Sequence, residues 1–165
     1  MKKIFNLVAL LGIMTLMLTS CNRDERISWT LDGIWEGEVA TEYFSHRWQE
    51  VVVQYQSVDI EFYADSWGGR GRGIEYDYTG YDTYYACEFY YEVRNGRIYL
   101  DYDDGSRMMI DRDYYLTNRV FEGNFCDYRT GEFVASFKFY KVAEGRYRAT
   151  RSGEPMRRLS TPFEK

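Results

Sequence analysis

Apolar and polar residues alternate in short runs from Ile34 to Val142, with glycine, aspartate, asparagine and serine clustered between the runs. A period of two puts every second side chain on one face of a pleated strand, so each run reads as a strand with one buried face. The runs predict strands over 34–42, 51–63, 73–79, 84–94, 97–102, 107–112, 119–128 and 131–142. No stretch beyond Gly33 repeats its apolar residues at helical spacing. Short strands joined by turns in this number imply an all-β, antiparallel barrel or sandwich.

The stretch CEFYYEVRNGRIYLDY defines one hairpin. Asn95-Gly96 tolerates the positive φ that a two-residue type I′ turn demands, and the twist of that turn matches the flanking strands. Closure there pairs Val93 with Ile98, Tyr91 with Leu100 and Phe89 with Tyr102 on one face, and Glu92 with Tyr99 and Tyr90 with Asp101 on the other. For the next turn, DDGS, a two-residue loop at Asp104-Gly105 sets Met109 against Leu100. A three-residue loop over 104–106 sets Met108 against Tyr102 and Ile110 against Leu100, and is preferred. In VVVQYQSVDIEFY the alternation Val51, Val53, Tyr55 resumes out of step at Val58, Ile60, Phe62, which a bulge or bend near Gln56-Ser57 would reconcile. The last hairpin is expected to turn Phe133, Ala135, Phe137 and Phe139 inward, opposite Phe121 and Phe125. With Trp35, Phe62, Phe89 and Tyr91 these make a bulky interior, while Tyr63, Tyr90, Tyr99 and Tyr140 fall on the outer phase.

Ahead of the strands, Lys2-Lys3, an apolar run from Ile4 to Leu18 and Thr19-Ser20-Cys21 have the three-part layout of a secretory signal. A helix of that run would be about 22 Å long, short of the roughly 30 Å of bilayer hydrocarbon, so the segment reads as an export signal rather than a span. Leu18-Thr19-Ser20-Cys21 resembles a bacterial lipobox. The resemblance implies cleavage before Cys21 and acylation of its thiol and new amino group, and several acyl chains give lasting membrane attachment. Asp24-Glu25 resembles the acidic signal that sends some lipoproteins of Bacteroidota to the cell surface. The expected organisation is a signal peptide over 1–20, a lipidated tether over 21–30, a β-barrel domain over 31–142 and a basic tail over 143–165. The expected location is the bacterial cell envelope, as an outer-membrane lipoprotein, with the periplasmic and surface faces both open.

Charge and composition narrow the partners. The chain has 21 basic and 26 acidic residues, a net of −5. Removing the first twenty residues takes away two lysines and no acids, leaving about −7. Such a surface opposes nucleic acid as a partner. The 17 Tyr, 10 Phe and 4 Trp suit half-buried pleated surfaces more than helices.

The first strand opens LDGIWEGEV, and Gly33-x-Trp35 resembles the opening motif of lipocalins and the wider calycin barrels. The stretches FYADSWGGRGRG, VRNGRIYLDYDDG and FEGNF with TGEFVASFKFYKV extend the similarity, over 31–142, to small lipocalin-like lipoproteins of Bacteroidota, a mostly uncharacterised family. The resemblance implies a closed barrel of about eight strands. It also implies that Trp35 plugs one end beneath a late-chain arginine, Arg146 or Arg148, held by cation-π attraction. It carries no catalytic residue across.

A barrel of that size either fills with side chains or holds one small ligand, and the bulky interior favours filling with at most a shallow pocket at the open end. The chain therefore reads as a binding protein for a small apolar or amphipathic ligand, with Trp35, Tyr43, Trp48, Trp67, Tyr91 and Arg148 as candidate contacts. The alternative is a surface module that engages a glycan or an envelope or host protein through outer aromatics. No catalytic motif, cofactor or metal site is expected. WGGRGRG lacks the Lys-Ser/Thr and the following helix of a phosphate loop and reads as an inter-strand loop at the barrel mouth. Asp101, Asp103, Asp104, Asp111 and Asp113 cluster without the spacing of a calcium loop, and His46, the sole histidine, reads as a solvated loop residue. Cys87 falls on the inner phase and Cys126 on the outer, which opposes a disulfide between them.

Overall fold

The computed structural model describes residues 23–79 and 83–144. The segment over 1–20 read as a signal peptide, Cys21 and all but the first two residues of the expected tail over 143–165 lie outside the described residues. Residues 23–31 form a helix, α1. Nine strands follow: β1 (Gly33–Ser45), β2 (Glu50–Ala64), β3 (Arg70–Tyr78), β4 (Tyr84–Arg94), β5 (Arg97–Tyr102), β6 (Arg107–Ile110), β7 (Tyr115–Leu116), β8 (Val120–Asp127) and β9 (Phe133–Glu144). They make one antiparallel sheet in the order β6-β5-β4-β3-β2-β1-β9-β8-β7, and β6 also pairs with β8. Eight strands thus close into a barrel, with β7 an extra edge on β8. Closure removes the sheet edges around the barrel itself.

The Asn95-Gly96 hairpin closes in the expected register, Val93 opposite Ile98, Tyr91 opposite Leu100 and Phe89 opposite Tyr102. Both turn residues have positive φ, 52° and 78°. Register corrects three other expectations. The β5–β6 loop holds three residues, but they are 103–105: the Tyr102 N–H donates to the Ser106 carbonyl at 3.0 Å, Met108 stands opposite Leu100 and Ile110 opposite Ile98. The shift is an even number of positions, so the same side chains still face inward. Next, β1 and β2 pair without a break from Gly33 and Phe62 to Ser45 and Glu50, so there is no bulge at Gln56-Ser57. The two strands instead run on past the barrel, since β1 meets β9 only as far as Thr41 and β2 meets β3 only from Val58. Val51, Val53 and Tyr55 are exposed on this projecting ribbon. Finally, a register shift between Phe125 and Cys126 puts Phe133 opposite Cys126 and turns it outward, 49% exposed, while Ala135, Phe137 and Phe139 stay inside. The strand expected over 107–112 stops at Ile110, and the chain returns through β7, too short to show alternation.

Helix α1 takes in residues 23–30 of the expected tether over 21–30, together with Leu31, and docks across one end of the barrel. Ile27 and Leu31 lie one helical turn apart and, with Ser28, face the core; Leu31 and Ser28 are fully buried while Trp29 points to solvent. Asp24 accepts from the backbone N–H of Asn95 at 2.7 Å and of Gly96 at 2.8 Å, which fastens the first turn of α1 to the β4–β5 turn. The hydroxyls of Ser28 and Tyr91 are hydrogen-bonded at 2.9 Å, and Trp35 Nε1 donates to the Leu31 carbonyl at 2.6 Å. Lys141 Nζ donates to the carbonyls of Thr30 at 2.9 Å and Asp32 at 2.7 Å, so a cation satisfies acceptors that the end of a helix leaves open. The same Nζ lies 4.9 Å from the centre of the Trp35 ring. The late-chain cation over Trp35 is therefore a lysine of β9; Arg146 and Arg148 lie outside the described residues.

This half of the barrel is filled. Phe62 meets Phe89, Tyr91 and Phe121 edge-on at ring separations of 5.4, 5.3 and 6.4 Å, the arrangement that ring quadrupoles favour. Gly73 makes the packing possible, because a Cβ there would overlap both the Phe89 ring and the Glu61 carbonyl.

Candidate functional site at the barrel mouth

Away from α1 the interior opens. The inward phase of β3 runs Gly71, Gly73, Glu75, Asp77, so glycines stand where the rings crowd and acids where the rings stop. These acids border a cavity of about 280 Å³. Its apolar walls are Val39, Val58, Met108, Phe125 and Ala135, with Val134 brought in beside them near the register shift in β9. Thr41, Gln56 and Ser106 add neutral polar groups, and Cys87, Tyr102 and Asp104 complete the rim.

Glu75 is the chemical centre of the cavity. It is largely buried, paired in register with Ile60 on β2 and Cys87 on β4. Tyr102 Oη donates to Glu75 Oε2 at 2.5 Å. Burial pushes the Glu75 carboxyl up to about 7; the bond from Tyr102 pulls it down and the neighbouring Asp77 charge adds to the rise. Burial raises Asp77 as well. Burial, then the charge and hydrogen bond of Glu75, hold the Tyr102 hydroxyl well above its ordinary range, so it remains a donor. Cys87 Sγ donates to Asp103 Oδ1 at 2.9 Å. Burial and that bond push its thiol up to about 11, which leaves little thiolate for nucleophilic chemistry. A carboxyl that changes charge near neutrality at the edge of an apolar cavity can exchange a proton, accept a hydrogen bond or hold a cation.

The residues expected to touch a ligand do not converge. Trp35 and Tyr91 are 0% and 2% exposed in the filled half against α1. Tyr43 and Trp48 sit on the projecting ribbon, 51% and 63% exposed. Trp67 is 81% exposed in the β2–β3 loop, but that loop lies at the α1 end, with Gly68 against Glu25, and not at the mouth. Arg148 lies outside the described residues. The carboxylate cluster is split: Asp101 pairs with Arg107 at 2.9 Å, Asp111 pairs with Arg97 at 2.7 Å, Asp103 accepts from Cys87, and Asp104 lines the mouth. Among the described residues no group of three acidic, cysteine or histidine side chains is arranged to hold a metal. Cys87 and Cys126 are both free. His46 lies in the β1–β2 turn, edge-on to Phe44 at 5.4 Å.

Glu75 and Tyr102 were missed by sequence reasoning. The signal was present in GIEYDY, where counting inward from Gly73 places Glu75 and Asp77 on the core face, an anomaly for two acids in a strand with a buried face.

A second hollow, about 520 Å³, lies on the outer wall of β3 to β5. Arg72, Arg94 and Arg107 stand over the rings of Tyr90, Tyr99 and Tyr128 at 5.0, 5.2 and 5.7 Å. It is larger than the mouth and about as open, but three of its four arginines are already matched: Arg70 by Asp65, Arg94 by Glu92 and Arg107 by Asp101. The mouth combines apolar walls with an acid that no basic side chain answers, the composition of a ligand site. No protein-family model matches the chain, and no curated protein matches it.

Proposed function

We propose that the chain is an envelope lipoprotein, held to the outer membrane by acyl groups on Cys21, whose barrel mouth binds a small amphipathic ligand. The observation that carries the binding is the cavity of about 280 Å³, with apolar walls and the largely buried Glu75–Tyr102 pair at its edge. Ligand sites are concavities of this composition, and the volume is near the lower end of their range of about 300–1,000 Å³, so the ligand is small. The filled half beneath supplies a rigid floor. Leu18-Thr19-Ser20-Cys21 supports the anchor. Because α1 begins at residue 23 and docks at the filled end, an anchor on Cys21 would hold that end near the membrane and leave the mouth facing away.

The binding reading is tested with the neutral fluorescent probe N-phenyl-1-naphthylamine and the variant Thr41→Trp, which fills the mouth from an exposed rim position. Saturable binding that Thr41→Trp abolishes supports it; no binding, or binding indifferent to Thr41→Trp, contradicts it. The anchor is tested by Cys21→Ser, which should move the protein from the membrane to the soluble fraction.

A second reading, an interaction module, is favoured by the ribbon. Beyond the barrel β1 and β2 pair only with each other, yet Tyr43, Phe44, Trp48, Val51 and Tyr55 are each more than half exposed there. Such a patch suits a glycan or a protein surface. Trp48→Ala with Tyr55→Ala should then abolish retention of a partner from envelope extract and leave probe binding at the mouth intact.

A further inference from the structure

Every charged side chain on the lining of the mouth is acidic: Glu75, Asp77 and Asp104. No described residue of that lining is Lys, Arg or His. Among the described residues, the neighbours of Glu75 supply no positive charge. Asp77 lies on its own strand, Cys87 faces it from β4 and Tyr102 from β5, Asp104 from the β5–β6 turn, Val58 and Ile60 from β2, and Val39, Phe125 and Ala135 from β1, β8 and β9. Its hydrogen-bond partner, the Tyr102 hydroxyl, is neutral and takes one carboxyl oxygen, Oε2.

Four acids on the outer wall of the barrel are answered by a basic side chain. Glu92 faces Arg94, Asp101 faces Arg107, Asp111 faces Arg97 and Glu122 faces Lys138, although each of these side chains is at least 40% open to water that would solvate it. In the mouth, no described basic side chain answers Glu75 or Asp77, where the dielectric is lower and the need for a counter-charge greater. From this we infer that the ligand itself supplies the cation: the mouth takes a small cationic amphiphile, a protonated amine on a short apolar body. This rests on the mouth being the ligand site. The amine meets Glu75 and Asp77, and the body lies on Val39, Val58, Met108 and Phe125. A fatty acid or a phosphate ester of the same size would set like charges against each other. A bare divalent cation lacks the convergent oxygens that it requires, and it would leave the apolar walls wet.

Three probes share one body and differ in head charge: phenethylamine, 2-phenylethanol and 3-phenylpropanoate. They are titrated calorimetrically against the full chain carrying Cys21→Ser, so that no acyl group competes. At about pH 8 the amine should bind at least about tenfold tighter than the alcohol, with the propanoate weakest. Glu75→Gln should bring the amine down to the level of the alcohol, and Asp77→Asn should weaken the amine several-fold, which keeps the test open if one variant fails to fold. Lowering the pH to about 5 protonates Glu75, so amine binding should fall by about tenfold or more while alcohol binding holds. If amine and alcohol bind equally and Thr41→Trp abolishes both, the charge inference is wrong and the mouth remains a ligand site. Failure of all three probes, or indifference of all three to Thr41→Trp, overturns both. Displacement of the amine by calcium chloride alone, lost in Glu75→Gln, would reassign the acids to a metal ion and sink the inference.

Discussion

Replacing Glu75 by glutamine removes the buried charge while keeping the side chain's shape and an acceptor for the Tyr102 hydroxyl. Burial raises this carboxyl from its ordinary 4.5 to about 7. An acid raised on folding binds more protons in the folded state than in the unfolded chain, so its contribution is fully present below about pH 4.5 and is lost as the pH rises through about 7. At about 1.4 kcal/mol per pH unit, ionised Glu75 costs the fold about 3 kcal/mol in alkaline solution. Glutamine has no such cost. Glu75→Gln should therefore match the wild type within about 1 kcal/mol near pH 4.5 and exceed it by about 2–3 kcal/mol near pH 8. Burial also raises Asp32 and Asp77, which remain in the variant, so a shallower decline of the same sign persists. Urea unfolding followed by tryptophan fluorescence at a series of pH values gives both curves. Parallel curves, or a variant weaker than the wild type at pH 8, would refute the reasoning by showing that the folded protein stabilises the Glu75 carboxylate.

Three further variants test the parts that hold the site. Lys141→Met leaves the Thr30 and Asp32 carbonyls without their donor and removes the cation over Trp35; with only 6% of the lysine side chain exposed, a loss of about 2–4 kcal/mol is expected in chemical unfolding. Asp24→Ala unfastens α1 from the β4–β5 turn at a cost of about 1 kcal/mol, since water replaces a partly exposed acceptor, and amide exchange at Asn95, Gly96 and through α1 should quicken. Gly73→Ala drives a methyl into Phe89 and the Glu61 carbonyl; a loss above about 3 kcal/mol should appear as low soluble yield and a melted near-ultraviolet spectrum.

How far the sequence was legible follows from the range of each interaction. Alternation and the Asn95-Gly96 turn are local, and they yielded the strands, the β4–β5 register and the all-β class. The ribbon was misread because Val51, Val53 and Tyr55 are apolar yet exposed, and the expectation that apolar residues point inward placed a bend where β2 runs straight. Helix α1 was hidden because nine residues give a single turn-spaced pair, Ile27 and Leu31, in an otherwise polar stretch, and its stability comes from the barrel end that it covers. Lys141 continues the inward phase of Phe137 and Phe139, but a lysine is read as solvent-facing until the carbonyls of Thr30 and Asp32 are seen to receive it. The site suffered most. Trp35 and Tyr91 drew attention as large aromatics and proved to be packing, whereas Glu75 and Tyr102 are separated by 27 positions and become a pair only when β3, β4 and β5 lie side by side.

Native mass spectrometry of the protein purified from its own cells tests ligand binding at the mouth most directly. The prediction is one non-covalent small-molecule adduct on the wild type, absent from Thr41→Trp purified in parallel. A wild-type protein that carries only a polypeptide or a glycan, or an adduct that survives when the mouth is filled, would contradict it.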